Sequence, residues 1–308
     1  MPIERTVDLA RIGASARIQE VGDGPAVLFI HGANTSGASW ASLAAGLPEL
    51  RCLLVDRPGT GLSPALTRRP NREGLREFAA SFVVDVLDGL GLERADLVAT
   101  SLGGYIALRS AAAHPERVRR MVQFGWPVGA PSDGLQPLMR LAALPGVGRL
   151  AAGMPFNDRS VRWLFRRMGH GPAMDDGRIT SEEIGAYVAL LRDTDTLRNE
   201  LGRASAFVSP VGGLAGFVLD EAALAGVTAP TLFAWGEHDS FGSPAVGRAI
   251  VRRMPAAEIQ VIRDAGHTPW MDDLEACVAA VRTFLAPATS PIVPRPVPEA
   301  RSIPQAGR

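Results

Sequence analysis

The sequence of 308 residues contains no lysine, so all 32 of its basic residues are arginine. Schiff-base chemistry, attachment of pyridoxal phosphate and a Walker-type phosphate loop each require a lysine, and the sequence therefore excludes them. No Gly-x-Gly-x-x-Gly pattern follows an apolar run that could be a strand, so nothing indicates a dinucleotide site. We expect chemistry that needs no cofactor.

The sequence also has only two cysteines and no formal net charge. Cys52 and Cys277 lie in apolar runs without metal-ligand spacing, which favours buried free thiols over a disulfide or a zinc site. The formal net charge at pH 7 is zero, so no nucleic acid or membrane partner is expected. The chain begins without a signal-peptide pattern, and no apolar run reaches the roughly 18 residues of a membrane span. We expect a cytoplasmic protein that acts on a small molecule, with its oligomeric state left open.

Short apolar runs alternate with helical patterns at both ends of the chain. Unbroken runs such as 26–30 are typical of strands that are covered on both faces. Strands that alternate with helices through right-handed connections predict a doubly wound, mostly parallel α/β sheet, with ligands at the carboxyl ends of its strands. The predicted strands cover 3–10, 16–21, 26–30, 52–55, 97–100, 118–124, 231–235 and 258–262. The predicted helices include 75–90, 161–168, 182–201, 245–254 and 271–285.

This alternation stops in the middle of the chain. We predict a core made of residues 1–126 and 227–286, with residues 127–226 inserted as a helical lid. The six prolines within 287–308, with few apolar residues around them, predict a disordered tail that cannot bury enough surface to order itself.

Ser101 is the first candidate for chemistry, because it lies between a short apolar run and an alanine-rich amphipathic run. A serine on such a strand-to-helix turn needs small neighbours two residues away on each side, and Ala99 and Gly103 are small. The pattern small-x-Ser-x-Gly is a nucleophile elbow. The alternative is a serine that caps the helix beginning near Leu102.

A serine nucleophile requires a base, an orienting carboxylate and two N–H donors for the oxyanion. Of the five histidines, His267 directly follows the last predicted strand, so we expect it at the same sheet edge as Ser101. Asp239 follows another strand end and is the predicted carboxylate, because the preceding strand ends in a stretch without any acid. Glu237 and Asp264 are its competitors.

These motifs, together with His31-Gly32 and the loop 56–63, resemble the α/β-hydrolase superfamily over residues 3–285. The resemblance implies that the backbone N–H groups of Ala33 and Leu102 form the oxyanion hole, with Asn34 beside them. Two departures stand out. Ala99 replaces the usual glycine of the elbow, and Ala33-Asn34 replaces an aromatic residue and a proline found in many relatives.

The resemblance also narrows the reaction. Ser101 occupies the position at which epoxide hydrolases and haloalkane dehalogenases have an aspartate. Plant-type hydroxynitrile lyases use an active-site lysine, and this sequence contains no lysine. Carbon–carbon bond hydrolases usually have a more glycine-rich loop after His31-Gly32. Hydrolysis of an ester, or of a lactone, thioester or amide, is therefore implied. Two alternatives stay open: a lyase, cyclase or acyltransferase of secondary metabolism that uses the same triad, and a binding protein without turnover.

The predicted lid follows a strand end, which would bring it over the edge where Ser101 lies. Its apolar residues indicate a mostly apolar, medium-sized substrate, although an apolar underside would be needed for packing in any case. These apolar residues are Met139, Leu141, Leu144, Met154, Phe156, Trp163, Phe165 and Met168. The candidate pocket residues are Asn34, Trp126, Trp163 and Trp270.

Overall fold

An eight-stranded sheet forms the centre of the computed structural model. The structure describes residues 2–67, 71–132, 137–144, 146–154, 156–202, 208 and 217–286, and the predicted proline-rich tail, 287–308, lies outside them. The strands are β1 Ile3–Leu9, β2 Ala14–Val21, β3 Ala26–Ile30, β4 Arg51–Val55, β5 Ala95–Thr100, β6 Val118–Phe124, β7 Thr231–Gly236 and β8 Ala257–Ile262. Each bound lies within two residues of its prediction.

The strand order is β1-β2-β4-β3-β5-β6-β7-β8. Strand β2 is antiparallel to both β1 and β4, and all other pairs are parallel. The chain runs outward from β3 to β4 and then returns to place β5 on the other side of β3. The order therefore reverses between β3 and β5, which is where ligands bind in doubly wound sheets. The predicted fold class is confirmed.

Helices cover both faces of this sheet, and further helices lie between β6 and β7. They are α1 Ala41–Ala45, α2 Arg72–Gly89, α3 Ser101–Ala113, α4 Pro137–Ala142, α5 Val147–Ala152, α6 Asp158–Phe165, α7 Gly171–Asp175, α8 Ser181–Asp193, α9 Thr196–Leu201, α10 Glu221–Gly226, α11 Pro244–Val251 and α12 Leu274–Leu285. Helices α2, α3 and α11 contribute to the core on one face, whereas α1 and α12 contribute to the core on the other. None of the described helices combines the length and apolar character that crossing a membrane requires.

Helices α4 to α9 are inserted between β6 and the final β-α part of the chain. A small core of their own holds part of them together, formed by Val161, Phe165, Ala173, Ile179, Ile184 and Val188. The predicted continuous helix over 182–201 is wrong, because α8 ends at Asp193 and α9 begins at Thr196. Thr194 separates them: its backbone is extended, and its hydroxyl donates to the Leu190 carbonyl oxygen at 2.7 Å.

Candidate active site

Ser101 lies at the junction between β5 and α3 and has a φ of +51°. This left-handed conformation is strained for a serine, at a cost of about 1–3 kcal/mol. The helix passes very close to the sheet there, because a Cβ added to Gly103 would lie 2.1 Å from the Ile30 carbonyl oxygen. The cap residue of α3 is Thr100, without any side-chain capping bond. The geometry is that of a nucleophile elbow and not of a serine cap.

Asp239 and His267 form a buried pair at the ends of β7 and β8. The His267 Nδ1 lies 3.0 Å from Oδ2 and 3.1 Å from Oδ1 of Asp239. The same carboxylate accepts the backbone N–H of Trp126 at 2.7 Å and that of Phe241 at 3.0 Å. Because Nδ1 must donate to this carboxylate, we assign the neutral His267 ring a proton there. Its Nε2 is then the nitrogen that can accept a proton.

The two competing carboxylates lie elsewhere. Glu237 and Asp264 are exposed, and neither forms a hydrogen bond with His267 among the described residues. Together with His238 they make a group whose ligand atoms lie within 4.8 Å of one another, so these three residues could hold a cation. The geometry therefore separates this exposed group from the buried Asp239–His267 pair.

The loop after β3 lies beside Ser101. A Cβ added to Gly32 would be 3.1 Å from the Ser101 Cβ, so the Gly32–Ala33 peptide runs directly past the serine. Leu102 is the second residue of α3, where backbone N–H groups have no intrahelical partner. The two residues predicted to supply the oxyanion donors, Ala33 and Leu102, therefore directly follow the two residues of this close contact, Gly32 and Ser101.

A hydrogen-bond network fixes the Gly32–Ala33 peptide. The Gly32 carbonyl oxygen lies 2.8 Å from both the His31 Nδ1 and the Arg57 Nη2. The His31 Nε2 accepts the backbone N–H of Arg57 at 3.1 Å, which assigns the ring proton to Nδ1. Burial, with a smaller effect of the nearby Arg57 charge, holds the pKa of His31 well below its usual range, so the ring is neutral. This role of His31 and Arg57 was not predicted from the sequence.

A second unpredicted contact joins the same loop region to the inserted helices. The Arg57 guanidinium lies 3.3 Å from the Glu200 carboxylate of α9, and both side chains are buried. No local pattern could reveal this pair, because 143 residues separate its members in the sequence.

Ser101, His267 and Ala33 line a cavity of about 580 Å³. Part of its lining comes from residues within 35–42, and another part comes from α8 and the end of α6. Among the described residues that line it, the charged side chains are Glu183 and Asp193, and none is an arginine. Glu183 accepts the backbone N–H of Thr180 at 2.8 Å as part of a helix capping box. Hydrogen bonds from Arg192 hold the pKa of Asp193 below its usual range.

Of the four predicted pocket residues, Trp270 lines this cavity. Its indole Nε1 donates to the Ser39 carbonyl oxygen at 3.0 Å, and its ring stacks on Trp40 with centroids 4.1 Å apart. These contacts hold a flat apolar wall against the site. Asn34, which has a φ of +56°, is not among the lining residues.

The other two tryptophans lie outside the lining. Trp126 is buried behind the Asp239–His267 pair, where it stacks on Phe241 with ring centroids 5.7 Å apart. It supports the Asp239 carboxylate through its backbone N–H and does not face the cavity. Trp163 is 51% exposed on the outer face of α6, so its prediction as a pocket residue is corrected.

Comparisons with known proteins agree with this geometry. The family model for the alpha/beta hydrolase fold matches residues 25–274. The chain belongs to this family. A relative from Cupriavidus pinatubonensis, a 2-hydroxy-6-oxononadienedioate/2-hydroxy-6-oxononatrienedioate hydrolase, is 29% identical over 84% of this α/β-hydrolase and 86% of its own length.

Solved structures show the same fold. The 2-hydroxy-6-oxo-6-phenylhexa-2,4-dienoate hydrolase of Rhodococcus sp. strain RHA1 superimposes with a TM-score of 0.72 at 21% identity, over 92% of this chain and 98% of its own. Naproxen esterase from Bacillus subtilis does so with a TM-score of 0.67 at 21% identity, over 92% and 91%. The predicted membership of the α/β-hydrolases is confirmed.

Proposed function

We propose that this α/β-hydrolase cleaves an ester of a neutral, mostly apolar small molecule through an acyl-enzyme on Ser101. The strained elbow at Ser101, the buried Asp239–His267 pair and the peptide beside the serine support this proposal. Ser101, His267 and Ala33 line one cavity, where an ester carbonyl would have access to the serine.

In this mechanism the His267 Nε2 takes the proton of the Ser101 hydroxyl as its oxygen attacks the ester carbonyl carbon. The N–H groups of Ala33 and Leu102 donate to the oxyanion of the tetrahedral intermediate. The imidazolium, stabilised by Asp239, then gives its proton to the departing alkoxide. A water molecule, deprotonated by His267, attacks the acyl carbon, and the proton returns to the serine oxygen as the acid leaves.

One observation carries the choice of a neutral substrate: no arginine lines the cavity among the described residues, and the chain has no lysine. A carboxylate in such a cavity would lose its hydration without gaining a cationic partner, which is strongly unfavourable. Glu183 and Asp193 would repel it further. The inserted helices, in this proposal, act as a lid that sets the preference for apolar groups, through Phe165 and Met168.

The similarity to the Cupriavidus hydrolase favours a second candidate. A dienedioate carries two carboxylates and no ester, so a hydrolase named for it breaks a different bond in a dianion. The described cavity offers no matching positive charge for these carboxylates. We therefore place ester hydrolysis first.

Comparing the two substrate classes tests the proposal. Wild type, Ser101→Ala and Ser110→Ala would be assayed on 4-nitrophenyl acyl esters and on 2-hydroxy-6-oxononadienedioate. Ser110 is a matched control, because it lies on the same helix and donates to the Ala79 carbonyl oxygen at 2.7 Å, away from the cavity. We expect ester turnover in wild type and Ser110→Ala and none in Ser101→Ala.

The other outcomes separate the alternatives. Faster turnover of the dienedioate than of every ester would contradict the neutral-substrate proposal. Fluorophosphonate labelling of folded wild type that misses Ser101 would reject the nucleophile. Labelling without ester hydrolysis, followed by a rearranged or transferred product, would indicate a lyase, cyclase or acyltransferase instead.

A further inference from the structure

The loop that carries His267 is held by the inserted helices as well as by the core. The His267 backbone N–H donates to the Met168 carbonyl oxygen at 3.0 Å. Gly169, with a φ of +95°, lets the insertion turn against this loop, because an added Cβ there would lie 2.1 Å from the His238 carbonyl oxygen. The backbone of the insertion thus rests directly on the loops at the ends of β7 and β8.

A second buried histidine–aspartate pair reinforces this contact. His170, from the insertion, is fully buried and places its Nδ1 2.8 Å from the Asp272 Oδ2. Its Nε2 lies 2.9 Å from the Thr268 hydroxyl. The same Asp272 oxygen accepts the backbone N–H of Gly266 at 2.9 Å. His170 therefore contacts Thr268, the residue after His267, directly. Through Asp272 it also reaches Gly266, the residue before His267.

We propose that His170 and Asp272 form a positioning pair, which holds the His267 loop and makes the placement of His267 depend on the inserted helices. This inference rests on the proposed role of His267 as base. Neither residue of the pair lines the cavity, so both would act through the loop and not by contact with substrate.

The packing leaves little room for another arrangement. A Cβ added to Gly266 would lie 2.7 Å from the His170 Nδ1, so the imidazole is in direct contact with the backbone next to His267. The Asp272 Oδ1 is buried and makes no hydrogen bond among the described residues. The carboxylate therefore depends on Gly266 and His170 as its partners. Loss of His170 would free the loop on one side.

Substitutions at His170 test the pair. His170→Leu removes both ring contacts, whereas His170→Asn keeps an N–H donor near the position of Nδ1. Because a displacement of about 1 Å in a catalytic group can cost about 10²-fold in rate, we expect kcat of His170→Leu to fall by about that factor. The KM should stay within about threefold, and His170→Asn should recover most of the rate. His114→Leu, at the carboxyl end of α3, is the control.

Stability and amide exchange separate positioning from simple support of the fold. Hydrogen exchange at the Gly266 and His267 amides should quicken at least about tenfold in His170→Leu and stay unchanged in His114→Leu. An unchanged kcat per folded molecule, with only a lower melting temperature, would overturn the positioning role. Unchanged exchange at both amides would overturn the pair itself.

Two further measurements apply if His170→Leu does not fold or if wild type hydrolyses no ester. If His170→Leu fails to fold, Asp272→Leu replaces it, because leucine removes the oxygen that bonds both Gly266 and His170 and leaves no buried charge. It should lower kcat without changing KM, and a wild-type kcat would refute the proposal. If wild type hydrolyses no ester, the proposed function fails, and the exchange of the two amides alone then decides whether the pair holds the loop.

Discussion

Replacing Asp239 by asparagine changes one buried carboxylate oxygen into an N–H₂ group beside hydrogen-bond donors. The carboxylate accepts from Trp126, Phe241 and His267, and all these partners are donors. If the single asparagine oxygen keeps the shortest bond, to Trp126 at 2.7 Å, the amide N–H₂ faces Phe241 and His267. The N–H₂ then stands in the place of Oδ1, 3.1 Å from the His267 Nδ1, where two N–H groups would repel each other. We therefore expect the histidine to turn its Nδ1 into an acceptor and carry its proton on Nε2.

A proton on Nε2 prevents His267 from accepting the serine proton. The same tautomer error in a Ser-His-Asp enzyme costs about 10⁴-fold in kcat, which corresponds to about 5.4 kcal/mol in the activation free energy. The Phe241 N–H also loses its acceptor, which should lower the free energy of unfolding by about 1–3 kcal/mol. Substrate binding should change little, because Asp239 does not line the cavity.

The assay is steady-state hydrolysis of a 4-nitrophenyl ester, with kcat and KM measured separately and folding checked by thermal unfolding. Glu237→Gln and Asp264→Asn are the matched controls, since both carboxylates are exposed and near the same loops. Each should keep kcat within about threefold of wild type. The reasoning would be refuted if kcat fell less than about tenfold in Asp239→Asn and far more in either control. The role of orienting His267 would then belong to the carboxylate replaced in that control.

Three further predictions concern packing, pH and specificity. Gly103→Ala should lower the melting temperature by several degrees, because the added Cβ would lie 2.1 Å from the Ile30 carbonyl oxygen; Gly185→Ala, with open space around it, is the control, and equal melting temperatures would contradict the close contact. Because burial lowers the pKa of His31 from its ordinary 6.5, its neutral form contributes stability above pH 6.5 that is lost as the pH falls; the loss should reach up to about 1.4 kcal/mol per pH unit. Chemical denaturation at several pH values should show a weaker pH dependence of the unfolding free energy in His31→Gln than in wild type. An equal pH dependence would contradict the assignment to His31. Along a series of acyl esters, kcat/KM should rise up to about fourfold per methylene in wild type and in Trp163→Ala, while Met168→Ala should flatten the rise; a flat wild-type profile would contradict the apolar cavity.

The fold and the candidate triad could be predicted from the sequence because parallel strands leave a strong signal. Strands covered on both faces are continuous apolar runs, and β5 is buried at every position. Parallel strands also bring their carboxyl ends to one edge. Ser101, Asp239 and His267 each follow a strand, so the topology alone places them on the same side of the sheet.

The pocket could not be predicted as well, because its walls carry weak signals. One wall consists of small serine, alanine and threonine side chains within 35–42, which are common in any loop. Trp163 shows that the spacing of apolar residues along a helix indicates its buried face better than residue type does. Val161 and Phe165 lie four residues apart and are buried, so a residue midway between them points to the other side of the helix. Size alone made Trp163 a misleading candidate.

The contacts between the insertion and the core lay beyond sequence reasoning for a different reason. His170 and Asp272 are 102 residues apart, and a lone histidine in a helical pattern gives no sign of its partner. Only the folded chain shows that the segment between α6 and α7 turns at Gly169 and places His170 against the loop of His267. Long-range polar pairs of this kind depend on the exact path of the backbone.

These contacts bear on how the insertion works. Arg57 links α9 to the Gly32–Ala33 peptide on one side of Ser101, and His170 links the insertion to the His267 loop on the other. The insertion therefore contacts the supports of both the proposed oxyanion donors and the proposed base. An insertion that only covered the cavity would affect substrate binding alone. In the proposed mechanism, an insertion that is hydrogen-bonded to both supports also affects the placement of the reacting groups, so we expect specificity and rate to be coupled.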